Sequence, residues 1–259
     1  MPGAKTEARA LAMVLLESAP TLTSASLASV WRSAWPDVPG PTDFDSDEPQ
    51  QGPGAMTLRL DGMTGALGVM PAPIPGGELD GPAATSWLWP NATEQIPRVG
   101  AHVVAWVSGP GLPVDAHQHL TRLVTAVSRA TDALGVYCGA AGQVVRADVF
   151  DGLAHDYHPD RLPVMLWIDF RAFQDQGRSS LFTVGMSEFG LMELEIPRSD
   201  KPPGQLREFA MNLAAYLISE GPVIGDGHTV GGDEAQRVVV RHTPSMTGRA
   251  STVYTLEGL

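Results

Sequence analysis

Four side chains toward the C-terminal end could carry acid–base chemistry if the fold brought them together. Glu193 and Glu195 alternate with Met192, Leu194 and Ile196, so a strand there turns both carboxylates to one face and the apolar groups to the other. Two carboxylates within reach of each other equip a general acid and a general base, provided a cleft or an ion sets their pKa values apart. On an open sheet the same alternation is only a solvated face. Asp226 and His228 lie in the run Gly221-Pro222-Val223-Ile224-Gly225-Asp226-Gly227-His228-Thr229-Val230-Gly231-Gly232, and with Thr229 they could form a polar site on a loop. The run is no phosphate loop. It lacks a Gly-Lys-Ser/Thr ending, and Val230 stands where the third glycine of a dinucleotide fingerprint belongs. Turn geometry alone accounts for its glycines.

The nearest approach to a metal site is Asp151, His155 and His158, whose spacings of four and three share one face of a short helix. Pro159 ends that segment, and histidines in a last turn also answer the negative end of the helix dipole. A fourth ligand from elsewhere would be needed, so no metal is expected. His117 and His119 sit roughly 200° apart around a helix and cannot grip one ion; they read as exposed residues of a first turn. Ser187, in Gly185-Met186-Ser187-Glu188-Phe189-Gly190, misses the nucleophile-elbow spacing. Cys138 beside Tyr137 reads as a small buried hydrophobe, and Trp87, Trp89, Trp106 and Trp167 as packing residues. No cofactor motif is complete.

The elements that would position these groups follow from periodicity. Ala10 to Leu16 is an apolar strand with the pattern of a central position. Leu22 to Trp35 is a helix stopped by Pro36. Between positions 36 and 55 prolines, glycines and acids crowd out apolar residues, which marks a solvated, flexible loop. Met56 to Leu60 and a strand ending near Met70 make a hairpin about Asp61-Gly62. Pro71-Ala72-Pro73-Ile74-Pro75 must be extended. A helix over Leu79 to Trp89, ended by Pro90, and a strand over Ala101 to Val107 follow. The clearest helix runs from Asp115 to Leu134, with Leu120, Leu123, Val124, Val127, Thr131 and Leu134 on one stripe, Asp115 and Gln118 as a capping box and Gly135 at its exit. Beyond it come strands at Val136 to Gly139, Val164 to Phe170, Leu181 to Gly185 and Leu191 to Ile196, and a short helix at Val149 to Tyr157. A long helix over Gln205 to Ser219 precedes strands at Arg237 to His242 and Thr252 to Leu256. The class is α+β around a mixed or antiparallel sheet, with a β-α-β-β-α-β order in the N-terminal half that suits a ferredoxin-like (split βαβ) unit, and with a tandem of two such units as the fuller version. The expected halves are 1–110, ferredoxin-like with the loop at 36–55, and 111–259, the α+β remainder of the same compact unit.

Composition bounds the partners. Of 259 residues 43% are hydrophobic, enough for a full core, and 29 acids against 17 bases give a net charge of −12. With no basic patch, neither nucleic acid nor anionic lipid is an expected partner. No apolar run reaches the roughly 20 residues of a spanning helix. Lys5, Arg9 and the run to Leu16 fall short of a signal peptide, since Glu17 closes the run at once. One cysteine excludes an intrachain disulfide, so reducing cytoplasm is the natural compartment.

Several segments together resemble a bacterial family known as domain of unknown function 4261. They are Ala12-Met13-Val14-Leu15-Leu16, Met70-Pro71-Ala72-Pro73-Ile74-Pro75, Trp87-Leu88-Trp89-Pro90 and Ala133-Leu134-Gly135-Val136-Tyr137. Phe182-Thr183-Val184-Gly185-Met186, Met192-Glu193-Leu194-Glu195-Ile196-Pro197 and the Gly221 to Gly231 run complete the resemblance. Cys138 and His228 depart from its pattern, where tryptophan and aspartate are usual, which argues against an essential thiol or imidazole there. The family implies no reaction, ligand or catalytic residue. The expectation is therefore a non-enzymatic binding or interaction protein with a protein partner, in an immunity-like version one that captures a basic enzyme on an acidic surface. The rival is a hydrolase or metal-assisted enzyme using Glu193, Glu195, Asp226 and His228. Oligomeric state is left open.

Overall fold

The N-terminal apolar run is a strand, β1 (Glu7–Leu16), and its burial changes along its length. Exposed and buried positions alternate up to Leu11, whereas Val14, Leu15 and Leu16 are all buried. Only the far end of β1 is thus covered on both faces. Helix α1 (Ser24–Ala34) is opened by Thr23, whose hydroxyl accepts the Ser26 N–H at 3.0 Å while the Ser26 hydroxyl faces back to the Thr23 N–H. Strands β2 (Gly54–Leu60) and β3 (Met63–Met70) form the expected hairpin. Asp61 and Gly62 have φ of 45° and 85°, the left-handed pair of a tight hairpin turn. Two short helices follow, α2 (Asp80–Thr85) and α3 (Ala92–Gln95), then a 3-10 turn at Ile96–Arg98 and β4 (Ala101–Pro110). Helix α4 (Pro113–Ala130), β5 (Ala133–Cys138), β6 (Gln143–Arg146) and α5 (Ala147–His155) complete this part.

The structure is a computed structural model that describes residues 7–45, 54–155, 162–231 and 237–259. They divide into two units, Met1–His158 and Pro159–Leu259. In the first, the sheet order is β2-β3-β4-β1-β5-β6 with every neighbouring pair antiparallel. Strands β4 and β5 are both antiparallel to β1, which lies between them, so β4-α4-β5 is a split βαβ arrangement. Helix α4 lies on β1 and β4 and against α1 and α5, burying Leu120, Leu123, Val124 and Val127. On the opposite face Leu79, Ala83, Trp89 and Ala92 pack on Leu15, Tyr137 and Val144. Because β5 and β6 finish this sheet, the division between units falls between His158 and Pro159 rather than at 110/111.

Several expected boundaries move, each for a local reason. Asp115 is not the cap of α4 but its third residue, accepting the Leu112 N–H at 2.9 Å, and Pro113 occupies the first turn. The helix ends at Ala130, so Leu134 and Gly135 belong to β5. Gly135 is there for packing: a Cβ at that position would stand 2.2 Å from the Trp89 ring and 2.7 Å from the Val145 carbonyl. The helix expected over Leu79 to Trp89 breaks at Thr85, and Trp89 drops onto the sheet, 2% exposed. In the 36–55 loop, Thr42 bridges to Arg59, and the Asp45 carboxylate accepts the Thr57 N–H at 2.9 Å, so this part runs along the β2 edge. Positions 46–53 lie outside the described residues.

The second unit begins with α6 (Val164–Trp167) where a strand was expected. A short apolar run does not distinguish the two by periodicity, and here Leu166 and Ile168 donate back to the Pro163 and Val164 carbonyls at 2.8 and 2.9 Å. Strands β7 (Asp169–Asp175), β8 (Arg178–Val184) and β9 (Leu194–Ser199) are followed by α7 (Pro203–Glu220), β10 (Thr229–Val230), β11 (Val238–Pro244) and β12 (Thr252–Glu257). The order is β10-β11-β12-β9-β8-β7, antiparallel except for the parallel pair β9 and β12. Helix α7 lies against β7, β8 and β9 and buries Leu206, Ala210, Leu213 and Leu217, while Phe209 is only half-buried. The protein is α+β with one antiparallel and one mixed sheet, and no helix among the described residues is long and apolar enough to cross a membrane.

Candidate functional site

Glu193 precedes β9, and its carboxylate is held by the turn after β8. One oxygen accepts the Thr183 hydroxyl at 2.7 Å, the other the Gly185 N–H at 3.0 Å and the Ser187 N–H at 3.4 Å. Thr183 in turn accepts the Leu194 N–H at 2.8 Å, and the Glu193 carbonyl accepts the Tyr254 N–H at 2.8 Å. The side chain therefore fixes the 3-10 turn Met186–Phe189, which contains Ser187, while its backbone fixes β12 on β9.

Glu195, two residues on, is 3% exposed and belongs to another turn. It accepts the Ser245 hydroxyl and, at 2.7 Å, the Met246 N–H, both from the connection between β11 and β12. Ser245 extends the network by accepting the Thr247 N–H at 3.1 Å. Glu193 lies before β9, and within the strand Leu194, Glu195 and Ile196 are all buried, so the two carboxylates serve two different turns, each with its own donors.

Asp226 and His228 are exposed and lie in a turn laid along β11. Asp226 accepts the His242 N–H at 2.9 Å, and the His228 ring Nδ1 accepts the Gly225 N–H at 3.1 Å. Gly227 donates to the Val240 carbonyl and Val240 to that of His228, both at 2.8 Å. The glycine-rich run thus continues the sheet at its β10 edge. His242 points inward, its ring 5.2 Å from that of Tyr254 in an edge-on contact and its Nε2 3.3 Å from the Ile224 carbonyl.

Of the trio proposed from helix spacing, Asp151 and His155 lie among the described residues. Asp151 is paired in two-pronged fashion with Arg129 of α4, at 2.5 and 3.0 Å. The His155 ring lies 6.3 Å from that of Trp35, and His158 lies outside the described residues. Among the described residues no group of three or more His, Cys, Asp or Glu side chains is placed to hold a metal. His117 is not an exposed first-turn residue. It is 6% exposed, with Nδ1 2.9 Å from the Pro113 carbonyl, and burial pushes its pKa below 6.5 despite that bond. His119 is half-buried; burial lowers its pKa and Arg122 adds to this, against the pull of Asp61 and Asp115. Cys138 is a buried thiol.

Two features carried no local signal in the sequence. Asp169, at the start of β7, is 2% exposed and bonded to Arg171 at 2.5 Å. Burial raises its pKa, partly offset by the Arg171 and Arg207 guanidinium groups. The other feature is a half-open cavity of about 430 Å³ in the first unit, lined by Glu17, Arg98 and Asp132 among others. Its walls come from three separate connections, so no motif could reveal it.

Residues 182–254 match the model of the family described as Domain of unknown function (DUF4261). No curated protein matches the chain, and no solved structure does. The matched stretch runs from the end of β8 through the first half of β12 and holds Glu193, Glu195, Asp226 and His228 with all the bonding partners named for them. Over residues 182–254, within its second unit, the chain is thus similar to the DUF4261 family.

Proposed function

We propose that this is a non-enzymatic binding protein of the cytoplasm that captures a basic protein partner. The observation that carries the reading is the use of the four polar residues best suited to chemistry: Glu193, Glu195, Asp226 and His228 each accept a backbone N–H of their own unit. A catalytic carboxylate needs lone pairs turned toward a substrate, whereas these hold turns in place. The net charge of −12 favours a basic partner through long-range attraction and faster encounter. The rival hydrolase reading would require these groups to act on a substrate while still holding their turns, or to leave their present partners.

The test is affinity capture of the tagged full chain from lysate of cells that encode it, with quantification of what co-purifies. A basic protein at near-equal amount, released by salt, is the expected result. Recovery of the chain alone would overturn the reading.

A further inference from the structure

The half-open cavity of the first unit is built where β1 ends. Glu17 and Ser18 follow β1, and Thr21 lies further along the same connection. Arg98 arrives from the 3-10 turn that precedes β4, and Thr131 and Asp132 from the short link between α4 and β5. The close approach of the first two walls depends on Gly100. Its N–H donates to the Leu16 carbonyl at 3.0 Å, and a Cβ on it would stand 2.4 Å from the Glu17 carbonyl oxygen.

The charges in this cavity do not cancel. Arg98 is bonded to one oxygen of Glu17 and to the Gln95 side-chain carbonyl, so its guanidinium already has two acceptors. Asp132 makes no ion pair among the described residues. The carbonyl end of the 18-residue helix α4 opens on the same side, and a helix of that length carries a partial negative charge there. Arg129, the one basic residue of that last turn, is paired with Asp151. Leu16, Pro20, Ala130 and Leu134 supply an apolar side to the same hollow. An acceptor-rich end beside an apolar wall suits an alkyl chain that ends in a positively charged group.

We propose that this cavity binds an alkylguanidinium or alkylammonium group, with Asp132 and the free oxygen of Glu17 as its acceptors. The group comes either from a free small molecule or from an arginine or lysine side chain of a polypeptide. The site does not rest on the interaction reading above, although an arginine anchored here would supply that reading with its contact point.

The test is an NMR titration of the full chain with butylguanidinium, with its neutral analogue butylurea, and with the tripeptide acetyl-Ala-Arg-Ala-amide. Butylguanidinium is expected to give saturable shifts at Glu17, Thr21, Arg98 and Asp132, at least about tenfold tighter than butylurea, and Asp132→Asn to weaken it about tenfold, as loss of one charge-assisted contact implies. Asp132 is exposed, so this variant should keep the wild-type melting profile. Tripeptide binding as tight as that of butylguanidinium assigns the site to a side chain, and binding of butylguanidinium alone assigns it to a small molecule; either supports the site. Equal binding of butylurea, indifference to Asp132→Asn, or no saturation up to about 20 mM overturns it. That failure together with a stoichiometric basic partner in the capture experiment would remove the cavity and leave the interaction reading standing.

Discussion

The two units bury different titratable groups, and the difference follows from how each closes its sheet. In the first, the buried histidines among the described residues are His102 and His117, beside the buried Tyr137 and Cys138, and both rings are bonded to main-chain carbonyls, of Ala72 and Pro113. In the second, the described residues bury the carboxylates Asp169 and Glu195, beside Tyr254, and no histidine. The all-antiparallel sheet of the first unit is joined by two hairpins, β2-β3 and β5-β6, and by three connections that carry helices. A parallel pair such as β9 and β12 needs a long return path, and the turns along that path have N–H groups without a ladder partner. Glu195 meets that need by accepting the Met246 N–H and the Ser245 hydroxyl, whereas Asp169 is bonded to the Arg171 side chain. The first unit fits its elements together by removing side-chain atoms, at Gly100 and Gly135, and the second by adding acceptors.

The largest expected effect comes from filling the tightest contact of the first unit. Gly135→Ala puts a methyl group into the Trp89 ring and the Val145 carbonyl, and should cost about 3 kcal/mol or more, since neither a buried indole nor a strand can give way cheaply. Hydrogen exchange should quicken across β1, β5 and β6 and leave β8, β9 and β12 unchanged. The matching lesion in the second unit is Glu195→Ala, which strips two donors of a charged acceptor and should cost about 2–3 kcal/mol, with Glu195→Gln costing roughly half because one acceptor survives. Here the exchange pattern should reverse, with protection lost in β11, β12 and the turn between them. If both variants loosened both units equally, the contrast between the two would fail.

Much of the fold was legible in the sequence, and the illegible part has a physical cause. Strong periodicities gave α4, α7, the Asp61-Gly62 hairpin and most strands, because they report burial of one face. The Val164 to Phe170 run misled because four apolar residues fit a helical turn or a buried strand equally well. Glu193 and Glu195 were found from their pattern, but the turns they are bonded to were not. Their donors lie 10 and 50 residues away at Thr183 and Ser245, and no spacing rule connects them. Asp169 was invisible for the same reason: a lone acid at a strand start reads as exposed until the fold buries it.

Titration sharpens the comparison because the buried groups respond to acid in opposite directions. The pKa of His117 is lowered by burial, so its contribution to stability is complete above its unfolded value near 6.5 and is lost as pH falls through the lower folded value. Asp169 is raised by burial, so its contribution is complete below its unfolded value near 3.8 and is lost as pH rises through the higher folded value. Below about pH 6.5 the first unit should therefore begin to weaken while Asp169 imposes no such loss on the second. A thermal melt of each unit, followed by hydrogen exchange from pH 7.5 to pH 5 (roughly the histidine range), checks this. His117→Gln should flatten the response of the first unit.

The smallest effect belongs to Asp226, and it separates a turn-holding carboxylate from a reactive one. Its side chain is exposed and accepts one N–H, that of His242, so Asp226→Asn retains the bond and should leave exchange at His242 nearly unchanged. Asp226→Ala removes the acceptor and should speed exchange at His242 by about fivefold, a local opening with little change in global stability, as expected for one solvent-accessible bond. Partner capture should survive both variants if the carboxylate only positions the turn. Loss of capture in Asp226→Asn, with His242 still protected, would mean that the charge itself meets the partner, and the glycine-rich run would then be contact surface as well as sheet edge.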